Sequence, residues 1–211
     1  MSILRANNNT LSSITALPSA ISTGGLVHLS GTTHTATATL DFTTSGVLDF
    51  SKYKRYMIRV AGVKDNGSAA SAYFRMRVFN SGSIVDTGTN YKWVYHRHRL
   101  SSSSTSASGS TGDSLMDLGP VNYSGSATGM EHTYEIFVDF TPYYFTAVCT
   151  GVAYHNTNTS ALTIINSAGA YYGHSTQNVD GIRMFMNTGS IEGRIDTVSY
   201  THLRAHETSR N

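Results

Sequence analysis

Apolar and polar side chains alternate with a period of two along most of the chain from residue 35 onward. The alternation is clearest over residues 35–42 and 134–140. Because successive side chains of a β-strand point to opposite faces, this pattern predicts strands that bury one face. Further strands are predicted over residues 56–63, 73–79, 92–96, 115–118, 145–154, 161–172, 182–186 and 191–195. No window shows a convincing 3.6-residue hydrophobic stripe, so the sequence predicts an all-β fold: a two-sheet antiparallel sandwich, jelly-roll-like in topology.

Two stretches lack the alternation. Residues 1–35 are polar and low in pattern, and they are predicted to form an extended N-terminal arm for attachment, with simple terminal disorder as the alternative. The sandwich domain is predicted to cover residues 36–196. Residues 101–112 contain only Ser, Thr, Ala and Gly, which cannot bury apolar area, so a mobile loop is predicted there. This loop and the turns at residues 66–67 and 156–158 would form the exposed surface on which adhesion takes place.

The composition argues against several classes of protein. Charged residues make up 13% of the chain, about half the roughly 25% of an average globular protein. Ser, Thr, Gly, Asn and Tyr replace them, as is typical of all-β structural proteins and carbohydrate-facing modules. Fifteen Lys and Arg residues oppose thirteen Asp and Glu residues. This balance indicates no basic face for nucleic acid.

Cysteine content and hydropathy predict the compartment. Cys149 is the only cysteine, so the chain has no intrachain disulfide framework, and its apolar neighbours predict a buried role. No stretch approaches the roughly 20 apolar residues of a membrane-spanning helix. Residues 1–7 contain no apolar leader core. We therefore expect a protein without membrane insertion that is assembled in a reducing cytosol.

The end of the chain differs from the rest. Residues 198–208, VSYTHLRAHET, resemble the translation of a transposase-based sequencing adapter. Such scars are excluded from fold reasoning, so residues 197–211 are expected to be a non-native tail that replaces the natural C-terminus. A closing strand is predicted over residues 191–196, with Val198 and Tyr200 extending it for a turn before order fails. Packing of residues 203–211 into the core would contradict this interpretation.

Enzyme signatures are missing from the sequence. There is no Gly-x-Ser-x-Gly elbow and no phosphate-binding Gly-x-x-x-x-Gly-Lys-Ser/Thr loop. The one acidic cluster is Glu131, Glu135 and Asp139. The last two lie four residues apart on one predicted strand, hence about 13 Å apart, which is too far for a glycosidase pair. We expect a non-enzymatic protein with no catalytic residues and no cofactor.

Two histidines have a spacing that could suit a metal site. His96 and His98 are two residues apart, so on a strand they share a face and could begin a zinc site. Arginines flank them, and neither a cysteine nor a third ligand is near in sequence. No metal site is therefore predicted.

The same segment is the strongest candidate for a binding surface. Trp93, Tyr95 and Arg97 are residue types enriched in binding hot spots. Paired tyrosines at residues 143–144 and 171–172 could supply flat aromatic rings for a sugar, although one of each pair is expected in the core. The candidate receptor or subunit contacts are Trp93, Tyr95, His96, Arg97, His98, Tyr143 and Tyr172.

Several elements of the chain together resemble a family of virion structural proteins from tailed phages. The resemblance lies in a polar lead at residues 5–13, a Tyr-x-x-Tyr turn at Tyr53 and Tyr56 before an apolar strand, a Tyr- and His-rich segment at residues 91–98, a Ser/Gly stretch, and a closing glycine–isoleucine repeat at residues 189–195. The family's terminal Leu-Tyr-Gly is missing here, where the adapter-like run begins.

The resemblance implies a role in the phage particle. The expected protein is a tail fibre or tail appendage component, assembled in the bacterial host cytoplasm and incorporated into the virion. By family analogy it would be a homotrimer that contacts other virion proteins and adheres to a host-surface glycan. Two alternatives remain open: a carbohydrate-binding β-sandwich module, and a capsid decoration (head fibre) protein.

Overall fold

The computed structural model describes residues 26–49, 53, 55–65, 72–99, 104–121, 131–140, 145–154, 163–173 and 179–200. Over these ranges the protein is all-β and contains two antiparallel sheets and no helix. The predicted two-sheet antiparallel sandwich is thus confirmed. In the same ranges, no helix has the length and apolarity needed to cross a membrane.

The described residues form thirteen strands. They are β1 (Leu26–Thr37), β2 (Thr39–Thr43), β3 (Arg55–Asp65), β4 (Ala72–Asn80), β5 (Ser83–Ile84), β6 (Tyr91–Arg99), β7 (Ser104–Asp113), β8 (Met116–Val121), β9 (Glu131–Phe140), β10 (Phe145–Tyr154), β11 (Thr163–Tyr171), β12 (Val179–Met186) and β13 (Ile191–Tyr200). The larger sheet has eight strands in the order β1-β13-β3-β9-β10-β11-β6-β7. The smaller sheet has the order β2-β12-β4-β5, and β8 also pairs with β4.

The strand order contains the connectivity of a jelly roll. In a jelly roll, eight strands form two sheets in which the last strand lies between the first and third, and the seventh lies between the second and fourth. Here β13 lies between β1 and β3, and β12 lies between β2 and β4. The strands β10, β11, β6 and β7 then widen the larger sheet beyond this frame. The larger sheet therefore extends further sideways than the smaller one.

The core lies between the inner faces of the two sheets. Alternate residues of the central strands are fully buried there, including Ile58, Ile136 and Ile165 from the larger sheet and Met76 and Ile182 from the smaller one. One buried hydroxyl in this region pairs with backbone groups across the sandwich. The hydroxyl of Tyr91 in β6 donates to the carbonyl of Val85 (2.9 Å) and accepts from the amide of Val78 (3.0 Å).

The Tyr-x-x-Tyr turn is held by the second tyrosine. The hydroxyl of Tyr56 accepts a hydrogen bond from the amide of Asp49 (2.8 Å), and its ring contacts the ring of Tyr53 edge to face (6.2 Å between centroids). Tyr53 also donates its amide to the carbonyl of Asp49 (2.9 Å). These contacts fix the entry into β3. Burial raises the pKa of Tyr56 to about 12, so this hydroxyl stays protonated at neutral pH.

Close approach of the sheets at β11 depends on two glycines. A Cβ at Gly169 would lie 2.5 Å from Sδ of Met116, and a Cβ at Gly119 would lie 2.7 Å from Cγ2 of Ile165. Gly119 also has φ of 134°, a conformation that L side chains rarely adopt. Strand β8, which pairs with one side of β4, therefore lies directly on β11. It also packs on the neighbouring strand β6, and the edge strand β7 extends past it.

Three predictions about element boundaries need correction. Residues 26–35, assigned to the arm, form most of β1, which pairs with β13 at the edge of the larger sheet. The single strand predicted over residues 35–42 is divided between β1 and β2, which belong to different sheets. The mobile loop predicted over residues 101–112 is wrong from residue 104 onward, because β7 pairs with β6 there.

The physical reason is the same for β1 and β7, the two edge strands of the larger sheet. Hydrogen bonding by the backbone, rather than burial of side chains, holds an edge strand, so such a strand needs no apolar alternation. β7 is exposed along almost its whole length. The predicted turns at residues 66–67 and 156–158 and the first 25 residues of the predicted arm lie outside the described residues.

The closing strand continues through Tyr200. Val198 pairs with Met57 on one side and His28 on the other, and Leu26 pairs with Tyr200. Thr197 and Ser199 are fully buried. Their hydroxyl oxygens have no hydrogen-bond partner among the described residues. Residues 201–211, where order was expected to fail, lie outside the described residues.

Candidate functional site

The structure divides the candidate contact residues of β6 between two faces of the larger sheet. Tyr95 points inward and is 8% exposed. Because side chains alternate along a strand, Trp93 and Arg97 share its inner face, whereas His96 and His98 lie on the opposite, solvent-exposed face. The five residues therefore form two surfaces rather than the single strip that the sequence predicted.

The inner surface carries a pair of parallel aromatic rings. The rings of Trp93 and Tyr95 are 5.9 Å apart with an angle of 3° between their planes. At this separation the stack is offset, so each ring covers only part of its neighbour's face. The indole nitrogen of Trp93 donates to a carboxylate oxygen of Asp113 (3.2 Å), which fixes the orientation of the ring. We refer to Trp93, Tyr95 and Arg97 as the aromatic strip.

A row of serines lies beside the aromatic strip on β7. Residues directly opposite each other on paired strands point to the same face, and the partners of Trp93, Tyr95 and Arg97 are Ser110, Ser108 and Ser106. Ser104 continues the row opposite Arg99. These four serines form a serine ladder. The ladder is exposed because β8, at the edge of the smaller sheet, covers β11 and β6, so β7 extends about 5 Å beyond it at the usual strand spacing.

The smaller sheet forms the other side of this surface. Tyr73 in β4 contacts the ring of Tyr95 (6.5 Å between centroids), and the guanidinium of Arg75 lies 5.8 Å from the centroid of the Tyr73 ring. Arg75 in turn bonds Asp117 in β8 (2.7 Å). Burial raises the pKa of Tyr95, so its hydroxyl is a neutral donor and acceptor at neutral pH. The strip, the ladder and Tyr73 together offer aromatic faces, hydroxyls and one guanidinium.

The opposite surface of the larger sheet, its outer face, is unusually apolar. All five of the large hydrophobic residues that are exposed in the described part of the chain lie here: Val94 (42%), Phe137 (37%), Val148 (49%), Val152 (45%) and Ile164 (38%). Scattered exposed apolar residues are ordinary, but five on one face of one sheet are not.

Strand register places most of these side chains in one line. Directly paired residues run across six strands at right angles to the strand direction: Val198, Met57, Phe137, Val148, Ala168 and Val94. We call this the apolar row. Gly109 in β7 extends the row by one more strand and adds no side chain. Val152 and Ile164 are paired with each other on the same face.

Charged residues of both signs flank the apolar row. Arg59 pairs with Glu135 on one side of it, and Arg55 pairs with Asp139 on the other. The guanidinium of Arg55 lies 2.7 Å from a carboxylate oxygen of Asp139. At the β13 end, two nitrogens of Arg194 donate to the two carboxylate oxygens of Asp196 (3.0 and 2.8 Å). The face thus combines an apolar centre with a border of mixed charge.

Two candidate contact residues remain, Tyr172 and Tyr143. The Tyr172 hydroxyl donates to the carbonyl of Thr89 (2.6 Å), and its ring lies 4.6 Å from the Lys92 ammonium. This tyrosine holds the segment before β6 and stands apart from the aromatic strip. Tyr143 lies outside the described residues. In the part of the chain that is described, no three His, Cys, Asp or Glu side chains are grouped so as to hold a metal ion.

Sequence reasoning missed the serine ladder and the apolar row for different reasons. The ladder has a sequence signal, because Ser104, Ser106, Ser108 and Ser110 recur with a period of two inside the low-complexity stretch. The apolar row has almost none, since it joins residues from six strands whose register depends on tertiary pairing. Val94, Val148 and Ile164 each looked like ordinary members of half-buried strands.

Comparison with known proteins adds no relative to this description. No family model, no curated protein and no solved structure matches the chain.

Proposed function

We propose that this protein is a non-enzymatic structural component of a tailed-phage particle and that it assembles with copies of itself through the outer face of its larger sheet. The observation that carries the proposal is the apolar row. An apolar surface that crosses six strands is costly to leave in water and gains free energy when it is covered. The resemblance of the chain to phage virion proteins supports the phage particle as the place where the copies assemble.

The dimensions of the outer face suit a stable interface between folded domains. Eight strands at about 4.8 Å spacing, each about 30 Å long, make a surface of roughly 1,000 Å². A standard interface buries about 800 Å² on each partner. The outer face can therefore supply a full interface without help from other elements.

The border of mixed charge favours a second copy of this chain as the occupant. A partner of one charge sign would be attracted by some of the flanking residues and repelled by others. In a second copy, Arg59 and Glu135 are present with the same spacing, so each sign can meet its opposite. Contact of the same face on both subunits gives a two-fold dimer, the commonest closed symmetry of homo-oligomers, and the trimer expected from the family would need a second, different surface as well.

Within the particle, a tail fibre or tail appendage is the location that we propose. Such parts are extended homo-oligomers, and a trimer is the state expected by analogy with the family. The first 25 residues would contact neighbouring virion proteins. The alternative within the same class is a capsid decoration protein, which the number of copies per purified particle would distinguish from a tail component.

The mass of the full chain in solution tests the proposal. Light scattering coupled to size-exclusion chromatography at protein concentrations from about 1 to 100 µM should show a trimer, or another closed oligomer, that dissociates on dilution. A protein that remains monomeric at the highest concentration would contradict self-assembly through the outer face.

Saccharide binding is a second candidate function, favoured by a separate observation. Sugar sites use an aromatic ring against the apolar face of the sugar and polar side chains around its hydroxyls. The half-buried ring of Trp93 beside the serine ladder supplies both. The expected result is weak saccharide affinity that is lost in Trp93→Ala. Tyr172→Ala, a test that the sequence suggested, should have little effect, because Tyr172 does not belong to the aromatic strip.

A further inference from the structure

We infer that the saccharide held at the aromatic strip is acidic and that Arg97 selects its carboxylate. The inference rests on the second candidate function and names the class of its ligand. It is independent of the outer face, because the two surfaces lie on opposite sides of the larger sheet.

Arg97 differs from most arginines of the domain. Four others carry a carboxylate partner: Arg55 with Asp139, Arg75 with Asp117, Arg183 with Asp41, and Arg194 with Asp196. Arg97 donates its Nε to the hydroxyl of Ser106 (3.1 Å). In the described part of the chain, neither terminal nitrogen of Arg97 makes a hydrogen bond or an ion pair. The hydroxyl of Ser106 thus orients the guanidinium of Arg97 without neutralising its charge, which remains available to an anion.

The position of Arg97 relative to the rings is suitable for a sugar acid. Trp93 is half-buried, whereas Tyr95 is 8% exposed and lies between the rings of Trp93 and Tyr73, so Trp93 carries the ring surface that a sugar can reach. Arg97 lies four residues along the strand from Trp93, about 13 Å away. An oligosaccharide that stacks on Trp93 and follows the serine ladder would therefore place the carboxylate of a later unit at the guanidinium of Arg97. A planar guanidinium binds a planar carboxylate through two parallel hydrogen bonds, which an ammonium cannot do.

The serine ladder completes the recognition of a carbohydrate rather than of a simple anion. Ser108 and Ser110 lie directly opposite Tyr95 and Trp93 and provide hydroxyls that donate and accept hydrogen bonds. A free inorganic anion would use Arg97 alone. A sugar acid would use the Trp93 ring, the ladder and the guanidinium together.

The test compares an acidic polysaccharide with its neutral ester. Binding of the full chain to polygalacturonate, to alginate and to fully methyl-esterified polygalacturonate would be measured by isothermal titration calorimetry. The variants are Arg97→Gln, which removes the charge, and Trp93→Ala, which removes the larger ring. His98→Gln is the matched control, because His98 lies on the other face of the same strand. Thermal unfolding of every variant verifies that it is folded.

We expect at least one acidic polymer to bind about tenfold more tightly than the ester, the difference that one charge-assisted hydrogen bond provides. Arg97→Gln should abolish this preference and leave binding of the ester unchanged. Trp93→Ala should weaken binding of both, and His98→Gln should change neither.

Two other results would overturn the inference in distinguishable ways. Equal binding of acid and ester, lost in Trp93→Ala but unaffected by Arg97→Gln, would remove the role of Arg97 and leave a neutral saccharide site. If neither the acidic polymers nor the ester binds, both the inference and the saccharide function fail.

Discussion

Val148 in β10 lies directly opposite Phe137 in β9, and both side chains are exposed at the centre of the outer face. Neither residue contributes to the core between the sheets. A cross-strand pair of this kind stabilises a sheet by a few tenths of a kcal/mol up to about 1 kcal/mol. That gain does not explain why Ala168 and Val94 continue the row across two more strands. A surface covered by another copy explains all of them together.

The first prediction follows from this pair. Val148→Asp should place a charge at the centre of the covered surface and raise the protein concentration at which half of the chains are assembled by tenfold or more. Because Val148 is 49% exposed, the free energy of unfolding of the monomer should fall by only about 1 kcal/mol, from the lost pair with Phe137 and the lower strand propensity of Asp. Sedimentation velocity over a concentration series measures the first quantity, and urea unfolding measures the second.

The matched control for Val148→Asp is Thr39→Asp. Thr39 is an exposed residue of β2 in the smaller sheet, on the far side of the sandwich. It should leave assembly unchanged. Equal loss of assembly in both variants would mean that added charge acts generally, and the outer face would not be the interface.

The second prediction concerns the two buried hydroxyls of the closing strand. Thr197→Val and Ser199→Ala should each raise the free energy of unfolding by about 1 kcal/mol, because a buried hydroxyl without a hydrogen-bond partner is costly. Guanidinium unfolding of each variant provides the measurement. Thr35→Val, at an exposed position of β1, should change stability by less than about 0.5 kcal/mol.

Unpartnered hydroxyls do not set residues 197–199 apart from the rest of the chain. Ser167 in β11 and Asp180 in β12 also carry a buried oxygen without a partner among the described residues. Destabilisation by both substitutions would mean that the hydroxyls of Thr197 and Ser199 are hydrogen-bonded in solution.

The third prediction concerns the Arg75–Asp117 ion pair between β4 and β8. Burial raises the pKa of Asp117 above its ordinary value of 3.8, although Arg75 lowers it. Arg75→Met should leave this carboxylate buried without its partner and cost about 2 kcal/mol of unfolding free energy at pH 7. Since the folded protein then binds the proton more tightly than the unfolded chain, stability should rise as the pH falls through the pKa of Asp117 in the variant.

Urea unfolding at pH 7 and at pH 4.5 measures both effects. Arg55→Met is the comparison, because the Arg55–Asp139 pair is more exposed and should be worth less than about 1 kcal/mol. If Arg75→Met were no more destabilising than Arg55→Met, the Arg75–Asp117 pair would not hold β8 in place.

The fourth prediction concerns Cys149. The thiol is fully buried in β10, and burial raises its pKa from 9.0 to about 12. Because the thiolate is the reactive form, Cys149 should not react with an aromatic disulfide reagent in the native protein at pH 8. It should react completely once the chain is unfolded in urea. Rapid reaction of the native protein would mean that β10 opens locally on the time scale of the assay.

The alternation of apolar and polar residues predicted most of the central strands. The predictions over residues 56–63, 73–79, 134–140 and 145–154 correspond to β3, β4, β9 and β10. These strands bury one face, so their sequences must carry a period of two. The edge strands β1 and β7 lack it, because their backbone hydrogen bonds hold them in the sheet while most of their side chains remain in water.

The candidate binding residues were predicted in part. The sequence indicated Trp93, Tyr95 and Arg97 by residue type, and it indicated His96 and His98 by spacing. The alternation of a strand already places the first three and the last two on opposite faces. Only the tertiary structure showed which of these faces the smaller sheet covers. The contact of Tyr73 with Tyr95 joins two sheets and leaves no local trace in the sequence.

By itself, the sequence determined the fold class, the low charge, the buried cysteine and the central strands, because each of these depends on local composition or on a period of two. Tertiary structure alone decided which strands are neighbours and in what register. That register places Val94, Phe137 and Val148 in one apolar row and places Ser106 beside Arg97. Pairing between strands distant in the chain is set by the packing of the whole sandwich, so no local pattern encodes it.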